Sequence, residues 1–519
     1  MGAGLDMDDE STAAGVDITL GQDIGSQHHQ VRFEWFLGVF TRRGNDVGAK
    51  GQVGNKLPVH HIPLEQIHAR GVEGFDFGAE FREVARQDGG GDQDRQGHVL
   101  TLVGSSLNGM TKRPNRKSSA RPSTPIFVQV RIDKVVAEGD GFGYLEDGRV
   151  IFVEGGLPGE LVTAQIIKQS KDYARAVATA VVEANVDRVE PPCEYVVRGC
   201  GGCDLQHASI KLQRSIKVDI VTESLVRLGK IENPTVRWYD NRDLPVVGSR
   251  TTLRVAKSTT GVGFRKRRSH DVVRVTNCLV AHPKLNELLN DLRLDGAEEC
   301  VVRVGAASSE RLVWAEPQGS IAGVPVDVAT RVDAMVHESV AGRAFQISAA
   351  SFFQASPEAA EALVDATRRA LGDSSTWGDG PVVDAYCGVG LFATTVFPAD
   401  RHVVAIESNP TACIDARVNV ADRDVEIVQI PVEEWSPIKA AVVVADPARD
   451  GLRAGGVQVL AATQAKVIVL ISCDPASLGR DARLLHDNGY QLEYCEVLDL
   501  FPHTHHVEVV SRFVRSEIA

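Results

Sequence analysis

The chain has 519 residues, 43% hydrophobic and 24% charged, with a formal net charge of −13. That length accommodates roughly two to four domains, and the composition is that of an ordinary globular protein rather than a fibrous or low-complexity one. No apolar run approaches the ~18 residues of a membrane span. Acids stand among residues 1–10, where a secretory leader would carry bases, so a cytoplasmic protein without membrane contact is expected. An acidic total leaves any contact with nucleic acid to local clusters of Lys and Arg.

Residues 1–109 are rich in Gly, Gln and Asp and lack cysteine and apolar periodicity. Such a segment cannot bury enough surface to offset its ordering entropy, and it is expected to be a disordered extension or the product of an upstream start, with the true start at Met110. Residues 110–124 hold Lys112, Arg113, Arg116, Lys117 and Arg121 among Ser, Pro and Asn: a flexible basic arm for phosphate, or a tail without a specific role. Over 125–190, strand patterns at 127–132, 149–153 and 161–168 are separated by glycine turns at 139–144 and 155–160, which indicates a small OB-like β-barrel. Phe142 and Tyr144 are candidates either for stacking on bases or for core packing. A helix is predicted over 209–228. Residues 191–350 read as a mixed α+β region in which 250–256 and 261–265 alternate as antiparallel strands. Within it, Arg265-Lys266-Arg267-Arg268 reads as a grip on an RNA backbone or as a solvated hairpin tip. From 351 to 519 strands alternate with helices, the pattern of a parallel α/β sheet.

Nine cysteines in a cytoplasmic chain point to metal or catalytic use before disulfides. Cys193, Cys200 and Cys203 form C-x6-C-G-G-C, and Cys278 follows in VTNC at 275–278. Such a cluster can hold zinc or iron and sulfur; on spacing alone, four paired thiolates suit tetrahedral zinc. Cys300, Cys387, Cys413 and Cys495 read as packing residues. Cys473 follows the β-branched run at 468–472 and precedes Asp474 and Pro475, a good N-cap and first helical residue. A thiol at that positive helix end is expected to have a lowered pKa and to act as a nucleophile; the alternative is a small buried hydrophobe.

Asp384 ends a predicted strand, and Gly388-x-Gly390-x-x-Ala393 forms a turn into a helix. That pattern serves a dinucleotide or an S-adenosylmethionine loop equally. Glu407 follows a strand at 403–406, where a carboxylate can accept from ribose hydroxyls. Glu508, inside VEVV at 507–510, is either a buried acid of raised pKa or a residue on the solvent face of a half-exposed strand.

Four strings, VVDAYCGVG at 382–390, VVADPARDG at 443–451, SCDPASLGRD at 472–481 and FPHTHHVE at 501–508, together resemble the RNA uracil-5-methyltransferases, which make 5-methyluridine in ribosomal and transfer RNA. The likeness runs from about residue 125 to the C-terminus. It implies a class I, Rossmann-like S-adenosyl-L-methionine (SAM)-dependent domain over 351–519 and an RNA-binding TRAM barrel over 125–190. It assigns SAM contacts to Gln354, Tyr386, Glu407 and Asp446. CGGCDLQH at 200–207 is similar to the cluster loop of the ribosomal RNA enzymes, which implies a four-iron four-sulfur (4Fe-4S) cluster on Cys193, Cys200, Cys203 and Cys278, with zinc as the alternative. The family usually has five residues between its first two cysteines where this chain has six. It often has Asn where this chain has Ser356 and Leu391.

In the implied reaction Cys473 adds to carbon 6 of uracil, carbon 5 takes the methyl group, and Glu508 removes the carbon 5 proton. A paired base is out of reach, so the target is unpaired or flipped out. The expected substrate is 23S ribosomal RNA, with transfer RNA as the alternative; a monomer that uses neither DNA nor membrane is expected. A radical methylthiolation enzyme would need C-x3-C-x2-C, which is absent from the cysteine loop. A non-catalytic ribosome-assembly protein would bind RNA without methylating it.

Overall fold

The computed structural model describes residues 125–315 and 319–516, and before them the short antiparallel ladder of Ile18–Leu20 with His98–Leu100. The expected disordered extension over 1–109 and the basic arm over 110–124 otherwise lie outside the described residues. The chain divides into units Met1–Arg121 and Pro122–Ala519, and the second holds the three larger sheets. Among the described residues no helix is long and apolar enough to cross a membrane.

A six-stranded barrel comes first, in the order Phe127–Arg131, Leu161–Gln169, Tyr173–Glu183, Val150–Glu154, Gly141–Tyr144, Lys134–Val135. Period-two alternation puts Val130, Ile151, Val153, Val162, Ala164, Ala174 and Ala176 inside. The segment expected as a turn at 139–144 becomes a strand from Gly141, because Gly143 lets the Arg131 carbonyl approach: a Cβ there would stand 2.3 Å from that oxygen. Tyr173–Glu183, the longest barrel strand, has no counterpart in the sequence reading; its alanines carry little β signal.

The helix Ile210–Arg227 starts at Ser209, whose hydroxyl accepts from the Leu212 N–H at 3.2 Å. The middle region holds a second six-stranded sheet in which Thr252–Ser258 pairs antiparallel with Gly261–Arg265 and Glu299–Val304. Its core abuts Cys193, Cys200 and Cys278.

The third sheet has eight strands, ordered Val425–Val428, Val403–Ile406, Val382–Ala385, Val442–Ala445, Val467–Ser472, Glu508–Arg515, Tyr490–Leu498, Val236–Trp238. The first five are parallel, and Glu508–Arg515 runs antiparallel to both neighbours. Val382–Ala385, Val403–Ile406, Val442–Ala445 and Val467–Ser472 are buried residue by residue, as helices on both faces require. One face packs on Pro357–Leu371. The other packs on Pro475–Asp487, Arg453–Ala462 and the end of Ile210–Arg227. The sheet is thus not confined to 351–519: its last strand, Val236–Trp238, comes from the middle region and pairs parallel with Tyr490–Leu498. All five parallel strands end at one edge, where ligands bind in doubly wound sheets.

Candidate active site

At that edge the turn after Val382–Ala385 is built for close approach. Gly388 and Gly390 have φ of 54° and 86°, and Tyr386, a non-glycine, has φ of 63°, the kind of strained backbone that gathers at ligand sites. Asp384 lies one residue before the strand end rather than at it. Its Oδ2 accepts from the Ala393 N–H at 2.7 Å and clamps the following helix, and burial raises its pKa well above the carboxylate range. Glu407 accepts from the N–H of Gly388 at 3.0 Å and of Asn409 at 2.7 Å. Tyr386 donates its hydroxyl to Glu433 at 3.2 Å, and Gln354 Nε2 donates to Asp446 Oδ2 at 3.4 Å. Tyr386, Glu407 and Asp446 therefore stand just past the ends of three neighbouring parallel strands, with Gln354 bonded to Asp446.

The sequence reading missed the residues that hold the Gln354 segment and the glycine turn in place. Asp415 accepts from the Ser348 N–H at 2.9 Å and the Ser351 hydroxyl at 2.6 Å, and Arg303 donates to the Ser351 carbonyl at 2.7 Å, fixing the segment that carries Gln354. Asn419 Nδ2 donates to the Val389 carbonyl at 2.9 Å. The two departures from the family pattern have local uses. Ser356 caps Pro357–Leu371 by accepting from the Ala359 N–H at 3.1 Å, and Leu391 begins the helix Leu391–Thr395 in the core.

Cys473 follows Ser472 and precedes the helix Pro475–Asp487, which Asp474 caps by accepting from the Ser477 N–H at 2.8 Å. The helix is as expected, but the thiol is not lowered. Burial, then the carboxyls of Glu508 and Asp446, push its pKa up to about 12, against a smaller opposing effect of Arg449. Desolvation and two nearby acids outweigh the helix end. Glu508 is 4% exposed, so it is not on a solvent face. Burial and then Asp446 raise its pKa well above the usual value. Burial raises Asp446 to about 7. Cys387, by contrast, lies under the cofactor turn beside Asp384 and Glu407, with its N–H on the Ile406 carbonyl and its thiol pKa raised well above normal, mainly by burial.

The loop before Glu508 is held by the helix Ile210–Arg227, by Asp204 of the cysteine loop and by Arg449. Lys217, fully buried, donates to Asp499 at 2.6 Å and to the Phe501 carbonyl at 2.9 Å. Gln213 accepts from the His503 N–H at 2.8 Å and Asp204 from the His505 N–H at 2.9 Å. Arg449 donates to His506 Nδ1 at 2.9 Å. His506 suits that acceptor role: burial first, then His505 and Arg449, lower its pKa to about 4 and keep it neutral.

Cys193, Cys200, Cys203 and Cys278 line one cavity of about 40 Å³. The span between the first two is a one-turn helix, Glu194–Val197, followed by Gly199 at φ 89°, which accommodates the six-residue spacing. Cys193 N–H donates to Gln206 and Cys278 N–H to Asn286 at 2.7 Å. Burial raises the pKa of Cys203 to about 12 and also raises those of Cys200 and Cys278. Among the described residues no three His, Cys, Asp or Glu side chains are gathered as ligands of a metal ion. Cys300, Cys387, Cys413 and Cys495 are buried.

The basic run is not a free phosphate grip. Arg265 pairs with Glu299 at 2.8 Å, Arg267 with Asp140 at 3.1 Å, Arg268 with Asp140 at 2.5 Å, and Lys266 more loosely with Asp271 at 3.9 Å. Arg267 and Arg268 thus bolt the middle sheet to the barrel. Of the two barrel aromatics, Phe142 is half-buried with Lys134 over its ring, and Tyr144 is 56% exposed.

Residues 127–179 match the TRAM domain family. A protein of Streptomyces avermitilis described as an uncharacterized RNA methyltransferase is 34% identical over 430 residues, covering 74% of this chain and 97% of its own. One from Halalkalibacterium halodurans with the same description is 30% identical over 450 residues, covering 74% and 96%. The crystal structure of the Pyrococcus abyssi tRNA (uracil-54, C5)-methyltransferase with S-adenosyl-L-homocysteine aligns with a TM-score of 0.58 at 25% identity, over 74% of this chain and 99% of that one.

Proposed function

The chain belongs to the RNA uracil-5-methyltransferase family, and on that premise we propose that it methylates carbon 5 of an unpaired or flipped-out uridine, with Cys473 as nucleophile and Glu508 as base. It is a SAM-dependent RNA methyltransferase. One observation carries the finer reading: the half-buried thiol of Cys473 and the buried carboxyl of Glu508 stand side by side at the end of their paired strands, with Asp446 close enough to raise the pKa of both.

SAM, when bound, supplies the electrophilic methyl group and departs as S-adenosylhomocysteine. Cys473 passes its proton to solvent and bonds to carbon 6 as the thiolate, and the displaced π pair makes carbon 5 nucleophilic toward that methyl; the sulfur regains a proton from solvent after its release. Glu508 takes the carbon 5 proton; the freed pair restores the ring double bond and expels the Cys473 sulfur. A raised pKa makes the ionised Glu508 carboxylate a stronger acceptor for that proton. Gln354, Tyr386, Glu407 and Asp446 would hold the cofactor around the turn at Gly388 and Gly390.

For the cysteine cavity we propose a 4Fe-4S group, because the four thiols that line it are the donor set such a cluster takes. Cys193, Cys200, Cys203 and Cys278 would hold it, and it would cross-link the cysteine loop to the middle sheet.

The TRAM barrel and cysteine cavity together support 23S ribosomal RNA as the target. The likeness to the Pyrococcus abyssi enzyme supports transfer RNA as a second reading. Nucleoside mass spectrometry of separated ribosomal and transfer RNA from a deletion strain decides. Loss of 5-methyluridine from the 23S fraction is expected; loss from the transfer RNA fraction alone selects the second reading, and no loss from either rejects both.

A further inference from the structure

The cysteine cavity contains donors with nothing to bind. Arg250 lines it, and its buried Nε and Nη2 have no hydrogen-bond partner among the described residues. Buried N–H groups are nearly always satisfied, and a guanidinium left without acceptors is costly. Arg250 is also firmly placed. Its N–H donates to the Val280 carbonyl at 2.8 Å and its carbonyl accepts from His282 at 2.9 Å, which straps it to the Cys278 loop.

On its other side the guanidinium lies 5.4 Å from the centroid of Phe501. Phe501 opens the FPHTHHVE segment, and its carbonyl is the one gripped by Lys217. One side chain therefore touches both the thiol-lined cavity and the loop that ends at Glu508.

We infer that Arg250 donates N–H bonds to the sulfur atoms of an iron–sulfur group on the four cysteines and, through its contact with Phe501, positions the loop leading to Glu508. The inference rests on the iron–sulfur reading of the cavity. Four thiolates leave such a cluster with net negative charge, and outer-shell donors tune its potential. A nearby cation stabilises the reduced, more negative state, so Arg250 raises the reduction potential. It also closes the donor account that the protein leaves open.

The test uses the full chain purified anaerobically, as wild type, R250K and R250M. Iron and acid-labile sulfide are measured first, then the midpoint potential by visible absorbance, then hydrogen exchange of the peptide over 499–508. The expected result is a cluster in the wild type, a lower potential in R250M with partial recovery in R250K, and exchange over 499–508 faster in R250M by about tenfold, as loss of a charged contact implies. Absence of iron and sulfide from the wild type overturns the inference together with the cluster reading. A loaded R250M with unchanged potential overturns the inference alone, and a shifted potential with unchanged exchange overturns the tie to the loop. Should R250M hold no cluster, R250K decides by the same two measurements: a potential and an exchange rate equal to wild type overturn the inference, and shifts in the stated directions support it.

Discussion

Ser472 faces Val509 across the antiparallel ladder, so the next residue on one strand, Cys473, meets the residue before it on the other, Glu508, at the cofactor edge. The Glu508 carboxyl opposes ionisation of that thiol, second only to burial. In the proposed reaction a Glu508 carboxylate thus disfavours the Cys473 thiolate, which fits a sequence that uses the two charges in turn rather than together.

With its pKa pushed up to about 12, Cys473 is almost entirely thiol at neutral pH in the ligand-free protein. Its alkylation by iodoacetamide at pH 7.5 should be slower than that of an ordinary cysteine of pKa about 8.5, and should rise through the alkaline range. E508Q removes the opposing carboxylate and should move the rise to lower pH. Mass-spectrometric time courses measure this, and superimposed profiles for the two proteins would remove Glu508 as a cause.

Asp446 and Glu508 have folded pKa values raised by burial, to about 7 and well above normal respectively. Such acids hold a proton in the fold that the unfolded chain has lost. Their contribution is favourable below the unfolded pKa, near 4, and is lost as pH rises through the folded value. D446N and E508Q remove that loss. Both should melt on the order of a few °C higher than wild type at pH 8 and match it near pH 4. Thermal unfolding at the two pH values checks the sign; a lower melting temperature at pH 8 would show that the carboxylates stabilise the fold.

Lys217 and Asp499 are a buried ion pair joining the helix Ile210–Arg227 to the loop that leads to Glu508. Burial lowers the Lys217 pKa, and Asp499 opposes that shift. K217M strands the Asp499 charge and should cost about 3–5 kcal/mol, whereas the K217M/D499L double variant should cost clearly less because no uncompensated charge remains. Denaturant unfolding compares them; equal losses would mean that Lys217 acts through packing alone.

What the sequence made readable follows the range of the interaction. Asp474-Pro475 and Ser209 signal their helices because capping is settled within one turn, and the strand-end motifs align because parallel strands share an edge. The bond from Lys217 to Asp499 has no local signature, since a lysine on a helix reads as surface. The charge of Arg265 to Arg268 is visible in the sequence; the acids of the barrel and middle sheet that occupy it are not. The thiol pKa reverses for the same reason: its helix position is local, but the Glu508 carboxyl arrives from 35 residues along the chain.

The roles of Cys473 and Glu508 separate in a trapping experiment. If Cys473 bonds to carbon 6, C473A should lose methylation entirely and form no covalent complex, even with 5-fluorouridine RNA, whose carbon 5 substituent cannot leave as a proton. If Glu508 removes the carbon 5 proton, E508Q should still add the thiolate and accept the methyl group, then stall with RNA attached. Methylation of free RNA should then fall by at least about a hundredfold, the lower range for loss of a general base. Denaturing gels with labelled RNA distinguish the cases, because a stalled adduct persists as a shifted band. A band in C473A would assign the nucleophile to another residue, and Cys387, its thiol buried and its pKa raised well above normal, is a poor substitute. Normal turnover by E508Q would take the proton away from Glu508 and leave Asp446, the other buried carboxyl acting on the Cys473 thiol, as the group to test next.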